Sequence, residues 1–154
     1  MKVLFDTSVL VPAIVTRYDQ HDICWRWLED ALSGQFQGVV STHTLAELYS
    51  VLTRLPYRPA ISRSIAQRQI RENLQGFEKV ALEVSDYDAA IDRMTLLNLP
   101  GGGIFDALIA QAAVKASVDV LLTLNPKHFV RLGDEVSSIV QIPQKSQFKS
   151  YTFY

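Results

Sequence analysis

Residues 3–10 read Val-Leu-Phe-Asp-Thr-Ser-Val-Leu, and this stretch decides the fold class. Its first three residues are apolar without polar alternation, which is typical of a strand buried on both faces of a parallel sheet. Asp6 closes the strand. We expect a helix to begin directly after it, with Pro12 near the first turn, where a proline is tolerated. A buried strand followed at once by a helix indicates an α/β protein.

The same alternation of short apolar runs and helical patterns continues along the chain. Further strands are predicted over residues 38–41, 80–84, 120–122 and 139–142. Helices are predicted over residues 22–32, 42–54, 62–73, 86–97 and 105–116, with Asp86 as the N-cap of the fourth of these. This order predicts a three-layer α/β/α domain with a parallel central sheet. We assign the domain to residues 1–143, and a polar tail with interspersed aromatics to residues 144–154.

The composition is that of a globular protein. Of the 154 residues, 48% are hydrophobic and 20% are charged, which is enough for one buried core. The net charge of -1 excludes a global attraction to nucleic acid, so any such binding must depend on local charge or metal ions. The single cysteine, Cys24, fits a reducing compartment. Because Asp6 interrupts the apolar stretch that a secretory peptide needs and no apolar run reaches a membrane span, we expect a cytoplasmic protein.

Asp6 and Asp106 are both candidate site residues. Asp6 lies where parallel sheets bind ligands, and Asp106 lies where burial makes a charged side chain costly in free energy. Ligands bind beyond the carboxyl ends of strands, and Asp6 closes the first one. Asp106 opens a helix whose sides all look buried, and no basic residue lies between Arg93 and Lys115 to pair with it locally. For both aspartates the alternative is a helix N-cap. Sequence position alone leaves both interpretations open.

Glu47 is the third candidate. It follows Thr44 at the capping-box spacing, so a capping role is its alternative. Its position also falls away from the apolar stripe of its helix, toward a cleft or water. Taken together, three carboxylates supply the hard oxygen ligands that Mg²⁺ or Mn²⁺ prefers. Such a cation activates water and polarises a phosphate oxygen.

Four segments, in chain order, resemble the four motifs of PIN-domain ribonucleases, the family of the VapC-like toxins of bacterial toxin–antitoxin pairs. They are Phe-Asp-Thr-Ser-Val-Leu at 5–10, Ser-Thr-His-Thr-Leu-Ala-Glu-Leu at 41–48, Phe-Asp-Ala-Leu-Ile-Ala at 105–110 and Leu-Leu-Thr-Leu-Asn-Pro-Lys-His-Phe at 121–129. The resemblance implies a parallel sheet between helices, Mg²⁺ or Mn²⁺, and hydrolysis of RNA phosphodiesters. It assigns catalytic and metal-binding roles to Asp6, Glu47 and Asp106, with Ser8 and Thr123 as hydrogen-bonding support.

One position departs from the family pattern. Asn125 stands where the family often has a fourth acid, which puts a second metal ion in doubt more than the first. The toxin role that the resemblance implies would bring an antitoxin protein whose tail fills the cleft, and a homodimer.

A basic stretch offers a place for RNA. Residues 48–71 contain no acid, and they include Arg54, Arg58 and Arg63 as candidate contacts to RNA or a partner, followed by Arg68 and Arg71. The alternatives are a solvated helix face and a groove for an acidic partner segment. The three histidines lack a compact metal-ligand spacing, so we expect surface or packing roles for His21, His43 and His128.

Two other functions compete with the ribonuclease. A phosphatase of the haloacid-dehalogenase kind also has an aspartate after its first strand, as a covalent nucleophile. It requires a second acid two residues on, where this chain has Ser8. A binding module that keeps the PIN fold without activity is the other alternative, and Asn125 is the feature in its favour.

Overall fold

The computed structural model describes residues 1–144, in which strands and helices alternate. The strands are β1 (Lys2–Phe5), β2 (Gln37–Ser41), β3 (Glu78–Val80), β4 (Val120–Leu122) and β5 (Val140–Gln141). The helices are α1 (Thr7–Ile14), α2 (His21–Leu32), α3 (Thr42–Leu52), α4 (Arg63–Asn73), α5 (Val84–Leu96), α6 (Gly103–Lys115), α7 (Pro126–Val130) and α8 (Asp134–Ser137). The predicted tail, apart from its first residue, lies outside the described residues.

The strands form one parallel sheet in the order β3-β2-β1-β4-β5. The buried first strand is therefore central, with Leu4 beside Val39 on one side and Leu121 on the other. Gly38 in β2 is required by packing, because a Cβ there would lie 2.5 Å from the ring of Phe77. The predicted α/β class with a parallel central sheet is confirmed.

Helices cover both faces of the sheet because side chains along a strand alternate in direction. Val3 and Phe5 point to one face, where they join a core with residues of α1 to α4. Leu4 points to the other face and packs with residues of α5 to α8. All three side chains are fully buried, and each such burial is worth about 1.5–3 kcal/mol. The three-layer arrangement follows from this alternation.

The bounds predicted for the strand and the helix around residue 84 are wrong. Strand β3 pairs with β2, and β2 ends at Ser41, which caps α3, so the pairing stops where Val80 meets Ser41. The expected strand over 80–84 is therefore β3 at Glu78–Val80, and Val84 begins α5. Glu83 is the N-cap, and Asp86 is the third residue of the helix and accepts from the Glu83 amide at 2.8 Å.

Two smaller expectations also fail, and two short helices were not predicted. Helix α1 begins directly after Asp6, as expected, and Pro12 therefore lies in its second turn rather than near the first. The last strand is two residues long, since β4 offers only Leu121 and Leu122 as partners. Helices α7 and α8 were not predicted, because elements of five and four residues are too short to show an apolar period.

The sheet brings the functional candidates to one edge. The carboxyl ends of β1, β2 and β4 are adjacent, and they lead into Asp6, into α3 with Glu47, and into Thr123. Helix α6, which carries Asp106, packs near this edge through its contacts with α3 and α7. Within residues 1–144, every helix is too short or too polar to span a membrane.

Candidate active site

Asp6 is a buried carboxylate fixed by two hydroxyl groups. Its side chain is 5% exposed, and its Oδ2 accepts hydrogen bonds from Ser8 Oγ at 2.5 Å and Thr123 Oγ1 at 2.8 Å. The residue occupies the N-cap position of α1, and its side chain is held mainly by these two hydroxyls. Hydrogen bonds to a carboxylate are among the stronger ones in proteins, so the orientation of Asp6 is well defined.

The same hydroxyls attach the turn after β4 to Asp6. The amide of Leu124 donates to Ser8 Oγ, and the amide of Asn125 donates to Thr123 Oγ1, both at 3.0 Å. Each hydroxyl has one proton and directs it to Asp6, so the 3.2 Å contact between the two oxygens adds no further bond. Two main-chain amides, two hydroxyls and one carboxylate thus form a connected unit.

Glu47 is held by α1 and by its own helix. Its Oε2 accepts from Thr7 Oγ1 at 2.5 Å, and its Oε1 lies 3.0 Å from Nε2 of His43, one turn earlier. The capping-box alternative for Glu47 is wrong, because Ser41 is the N-cap of α3 and accepts from the Thr44 amide at 3.1 Å. The carboxylate of Glu47 therefore belongs to the cleft side of the helix.

Asp106 faces the basic side chains of His128 and Arg131, which lie in and directly after α7. It is the fourth residue of α6, whose N-cap is Gly102, so the capping alternative for Asp106 is also wrong. Its Oδ2 lies 3.4 Å from Nδ1 of His128 and 3.9 Å from Nη2 of Arg131. His128 was predicted to be a surface or packing residue. It is exposed, as that prediction allows, and it also lines the cleft, where the unpredicted helix α7 positions it.

The three carboxylates line one open cleft of about 580 Å³. Burial raises the pKa of Asp6 against the lowering effect of its hydroxyl donors, and the charge of Glu47 raises it further. Burial also raises the pKa of Asp106, with His128 acting against the shift and the charges of Asp6 and Glu47 adding to it. The structure thus brings together the three residues predicted from sequence, and their charges repel one another.

The carboxylate oxygens of this cleft are the kind of ligand that a hard cation prefers, although three side chains are not already arranged around a common metal position. In the part of the chain that the structure describes, no three Asp, Glu, His or Cys side chains are arranged to hold a metal ion. Both oxygens of Glu47 and one of Asp106 are engaged by hydrogen-bonding or cationic neighbours. Mg²⁺ commonly binds through one or two carboxylates and several waters, which requires no three-residue chelate.

The other predicted residues divide between the cleft and the surface. Ser8 and Asn125 line the cleft, and Thr123 lies behind Asp6, fully buried. The candidate RNA contacts are exposed on the segment between α3 and α4 and on α4 itself, away from the cleft lining: Arg54, Arg58 and Arg63. Arg63 contributes instead to a separate groove with Tyr49 and Arg71.

Sequence reasoning missed an aromatic pair beside the cleft. The ring of His43 lies parallel to that of Phe105, with an interplanar angle of 3° and centroids 5.4 Å apart. His43, predicted as a surface or packing residue, therefore connects α3 to α6 as well as contacting Glu47. The spacing of four residues between His43 and Glu47 was the available signal, because residues four apart share one helix face.

The sequence model of the PIN domain family matches residues 2–127, so the chain belongs to the PIN domain family. Within the family it is similar to ribonuclease VapC27 of Mycobacterium tuberculosis, with 31% identity over 113 residues that cover 71% of this chain and 75% of that protein. It is also similar to ribonuclease VapC40 of the same species, with 29% identity over 75% of this chain and 81% of that protein.

Solved structures share the fold. The structure of VapBC2 from Rickettsia felis, bound to a DNA fragment from its promoter, matches with a TM-score of 0.67 and 21% identity, covering 92% of this chain and 98% of that chain. The structure of M. tuberculosis VapC20, a toxin that cleaves the sarcin-ricin loop, matches with a TM-score of 0.67 and 14% identity over 87% and 98%. At these identities the likeness concerns the fold.

Proposed function

We propose that this protein is a metal-dependent endoribonuclease that hydrolyses RNA phosphodiester bonds, and that it is the toxin of a toxin–antitoxin pair. The observation that carries the proposal is the convergence of Asp6, Glu47 and Asp106 on one cleft, where their charges interact. Membership of the PIN domain family and similarity to two proteins named as ribonucleases support the same activity. The phosphatase alternative loses its support, because the family differs and Ser8 holds Asp6 where a second acid was required.

Asp6, Glu47 and Asp106 would hold Mg²⁺ or Mn²⁺. When bound, such a cation supplies Lewis-acid chemistry, activating a water molecule and polarising a phosphate oxygen. Burial is the main cause of the raised pKa values of Asp6 and Asp106, and the repulsion between the carboxylates adds to it; a bound cation would offset that repulsion.

The chain's own groups prepare this site before any ligand arrives. Ser8 and Thr123 fix the Asp6 carboxylate, and Thr7 fixes Glu47. His128 lies at the cleft with its side chain 55% exposed, so it can exchange its contact with Asp106 for one with a phosphate. Preorganised donors of this kind lower the cost of orienting the reacting groups.

The test is the replacement of single carboxylates. Asp6→Asn and Asp106→Asn keep the shape of the side chain and remove its charge, so each is expected to reduce metal-dependent RNA cleavage by more than about a hundredfold with an unchanged circular dichroism spectrum. Asp119→Asn is the matched control, because Asp119 lies at the opposite edge of the sheet and accepts from the Lys2 amide at 2.7 Å. Full activity of either site variant, or cleavage that persists in excess EDTA, would refute the proposal.

A binding module without activity is the second candidate. Two observations favour it: Asn125 occupies the fourth acidic position, and the described residues contain no ready three-residue chelate. Calorimetric titration with Mn²⁺ separates the two candidates. Binding in the micromolar range supports the nuclease, and no heat of binding at millimolar Mn²⁺ supports the module.

The toxin role brings further partners into the proposal. It implies RNA as substrate, an antitoxin protein and a homodimer, and two of the related solved structures are described as VapBC bound to DNA. An adjacent small gene that encodes a DNA-binding protein, and relief of growth arrest when that protein is expressed together with this chain, would support the pairing. Growth that is unaffected by expression of this chain alone would argue against it.

A further inference from the structure

Phe105 is an exposed aromatic residue directly beside a candidate catalytic carboxylate. It precedes Asp106 in the first turn of α6, and 51% of its surface is exposed. Exposure of a large apolar ring has a cost, since the ring gains most of its stabilising free energy by burial. This ring packs on His43, whose imidazole contacts Glu47 in the cleft lining, and that connection of an exposed ring to the cleft points to a ligand.

The rest of the ring is ordered by His43. The two rings are parallel and offset, so His43 covers only part of Phe105. His43 is itself fixed by its 3.0 Å contact with Glu47. The exposed part of the Phe105 ring is therefore held in a defined orientation relative to two of the three carboxylates.

We propose that Phe105, supported by His43, is a stacking platform for a nucleobase adjacent to the phosphate that is cleaved. This inference rests on the proposed function and adds a substrate-binding residue to it. Aromatic rings stack on every base, and a base placed on Phe105 would continue the parallel arrangement that His43 begins. Because Phe105 and Asp106 are consecutive, the base would belong to a nucleotide next to the phosphate at the carboxylates.

The surroundings of the ring favour RNA over a protein partner. The His43 imidazole covers part of the ring, and the next residue, Asp106, faces the basic side chains of His128 and Arg131. Basic side chains so close to the cleft can contact the phosphates on either side of the stacked base. A protein-docking surface would more typically surround the ring with other exposed apolar side chains.

The test compares side chains that keep or lose the aromatic face. Phe105→Leu keeps apolar volume and removes the ring, whereas Phe105→Trp keeps a ring. We expect Phe105→Leu to raise the KM for single-stranded RNA about tenfold in Mn²⁺ with kcat changed less than about twofold, and Phe105→Trp to restore KM. Tyr87→Leu is the matched control, because Tyr87 is also a partly exposed aromatic residue, at 44%, but lies on α5, whereas Phe105 packs on His43, which contacts Glu47 of the cleft; the control should leave KM unchanged.

A second measurement isolates stacking from other effects. The affinity of a ten-nucleotide uridine RNA and of a fully abasic decamer is measured by fluorescence anisotropy in EDTA. Phe105→Leu should weaken binding of the uridine RNA about tenfold and leave binding of the abasic decamer unchanged, because the latter has no base to stack.

The outcomes separate this inference from the proposed function. A wild-type chain that neither binds nor cleaves RNA overturns both. Normal cleavage by the wild type, with KM and the affinity for the uridine RNA both unchanged in Phe105→Leu, overturns the platform alone. Loss of binding to a partner protein in Phe105→Leu, with RNA binding unchanged, would assign the ring to that protein and also overturn the platform.

Discussion

Replacing Thr123 by valine tests whether the connected unit around Asp6 stabilises the protein. Valine matches the shape of threonine but lacks the hydroxyl, so the buried Asp6 carboxylate loses its 2.8 Å donor and the Asn125 amide loses its 3.0 Å acceptor. A hydrogen bond to a charged group is worth about 1.5–3 kcal/mol, and an unpaired amide in a partly buried site costs about 1 kcal/mol or more. Loss of both predicts a decrease of about 2–4 kcal/mol in the free energy of unfolding.

Thermal and urea denaturation at pH 8 measure this decrease. For a chain of 154 residues it corresponds to a fall in Tm of roughly 5–15 °C. Thr123→Ser is the matched control, because serine keeps the hydroxyl and loses only a methyl group. In an Asp6→Asn background the effect of Thr123→Val should be smaller, since a neutral amide oxygen is a weaker acceptor than a carboxylate. If Thr123→Val melts within about 2 °C of Thr123→Ser, the hydroxyl is not a significant source of stability and the reasoning fails.

Two further predictions concern charge. The pKa of Asp86 is lowered by its hydrogen bonds to Lys115 and to the Glu83 amide, so the stability it confers is complete above the unfolded pKa near 4 and is lost as the pH falls through the lower folded value. Asp86→Asn should therefore lower the free energy of unfolding at pH 7, by about 0.5–1 kcal/mol from the helix dipole alone. In urea titrations the difference in this free energy between variant and wild type should shrink toward pH 2. A difference that stays constant with pH would contradict this origin. Asn125→Asp adds a fourth carboxylate to the cleft. In calorimetry it should tighten Mn²⁺ binding on the order of tenfold, and it should lower the Tm of the metal-free protein. An unchanged affinity for Mn²⁺ would show that residue 125 does not act on the cation.

Sequence patterns predicted the sheet and the carboxylates because both depend on local signals. The run from Val3 to Phe5 is apolar without alternation, and only a strand covered on both faces accommodates it. Asp6 then falls at a strand end by position alone. Adjacent parallel strands bring their carboxyl ends to one edge, so the approach of Asp6 to Thr123 and to the helix of Glu47 followed from the strand order alone, whereas Asp106 lies on α6 and its place depended on helix packing.

The partners of these carboxylates were not predictable in the same way. His128 and Arg131 reach Asp106 from α7 and the residue directly after it, more than twenty residues away in sequence. A five-residue helix is too short to show periodicity, and its position depends on tertiary packing that buries Phe129. The bounds of β3 depend on its pairing with β2, which ends at Ser41. Local sequence patterns contain no information about such pairing between elements that are distant in sequence.

The structure of the turn after β4 affects which substitutions residue 125 can accept. Its path is fixed by main-chain amides, since the Asn125 amide donates to Thr123, while the Asn125 side chain caps no helix within residues 1–144. The shape of the loop is thus independent of which side chain residue 125 carries. Exchange between asparagine and aspartate, one nucleotide apart in the genetic code, would alter the charge of the cleft without reshaping the backbone, so the charge that the cleft presents to a ligand can change in a single mutational step.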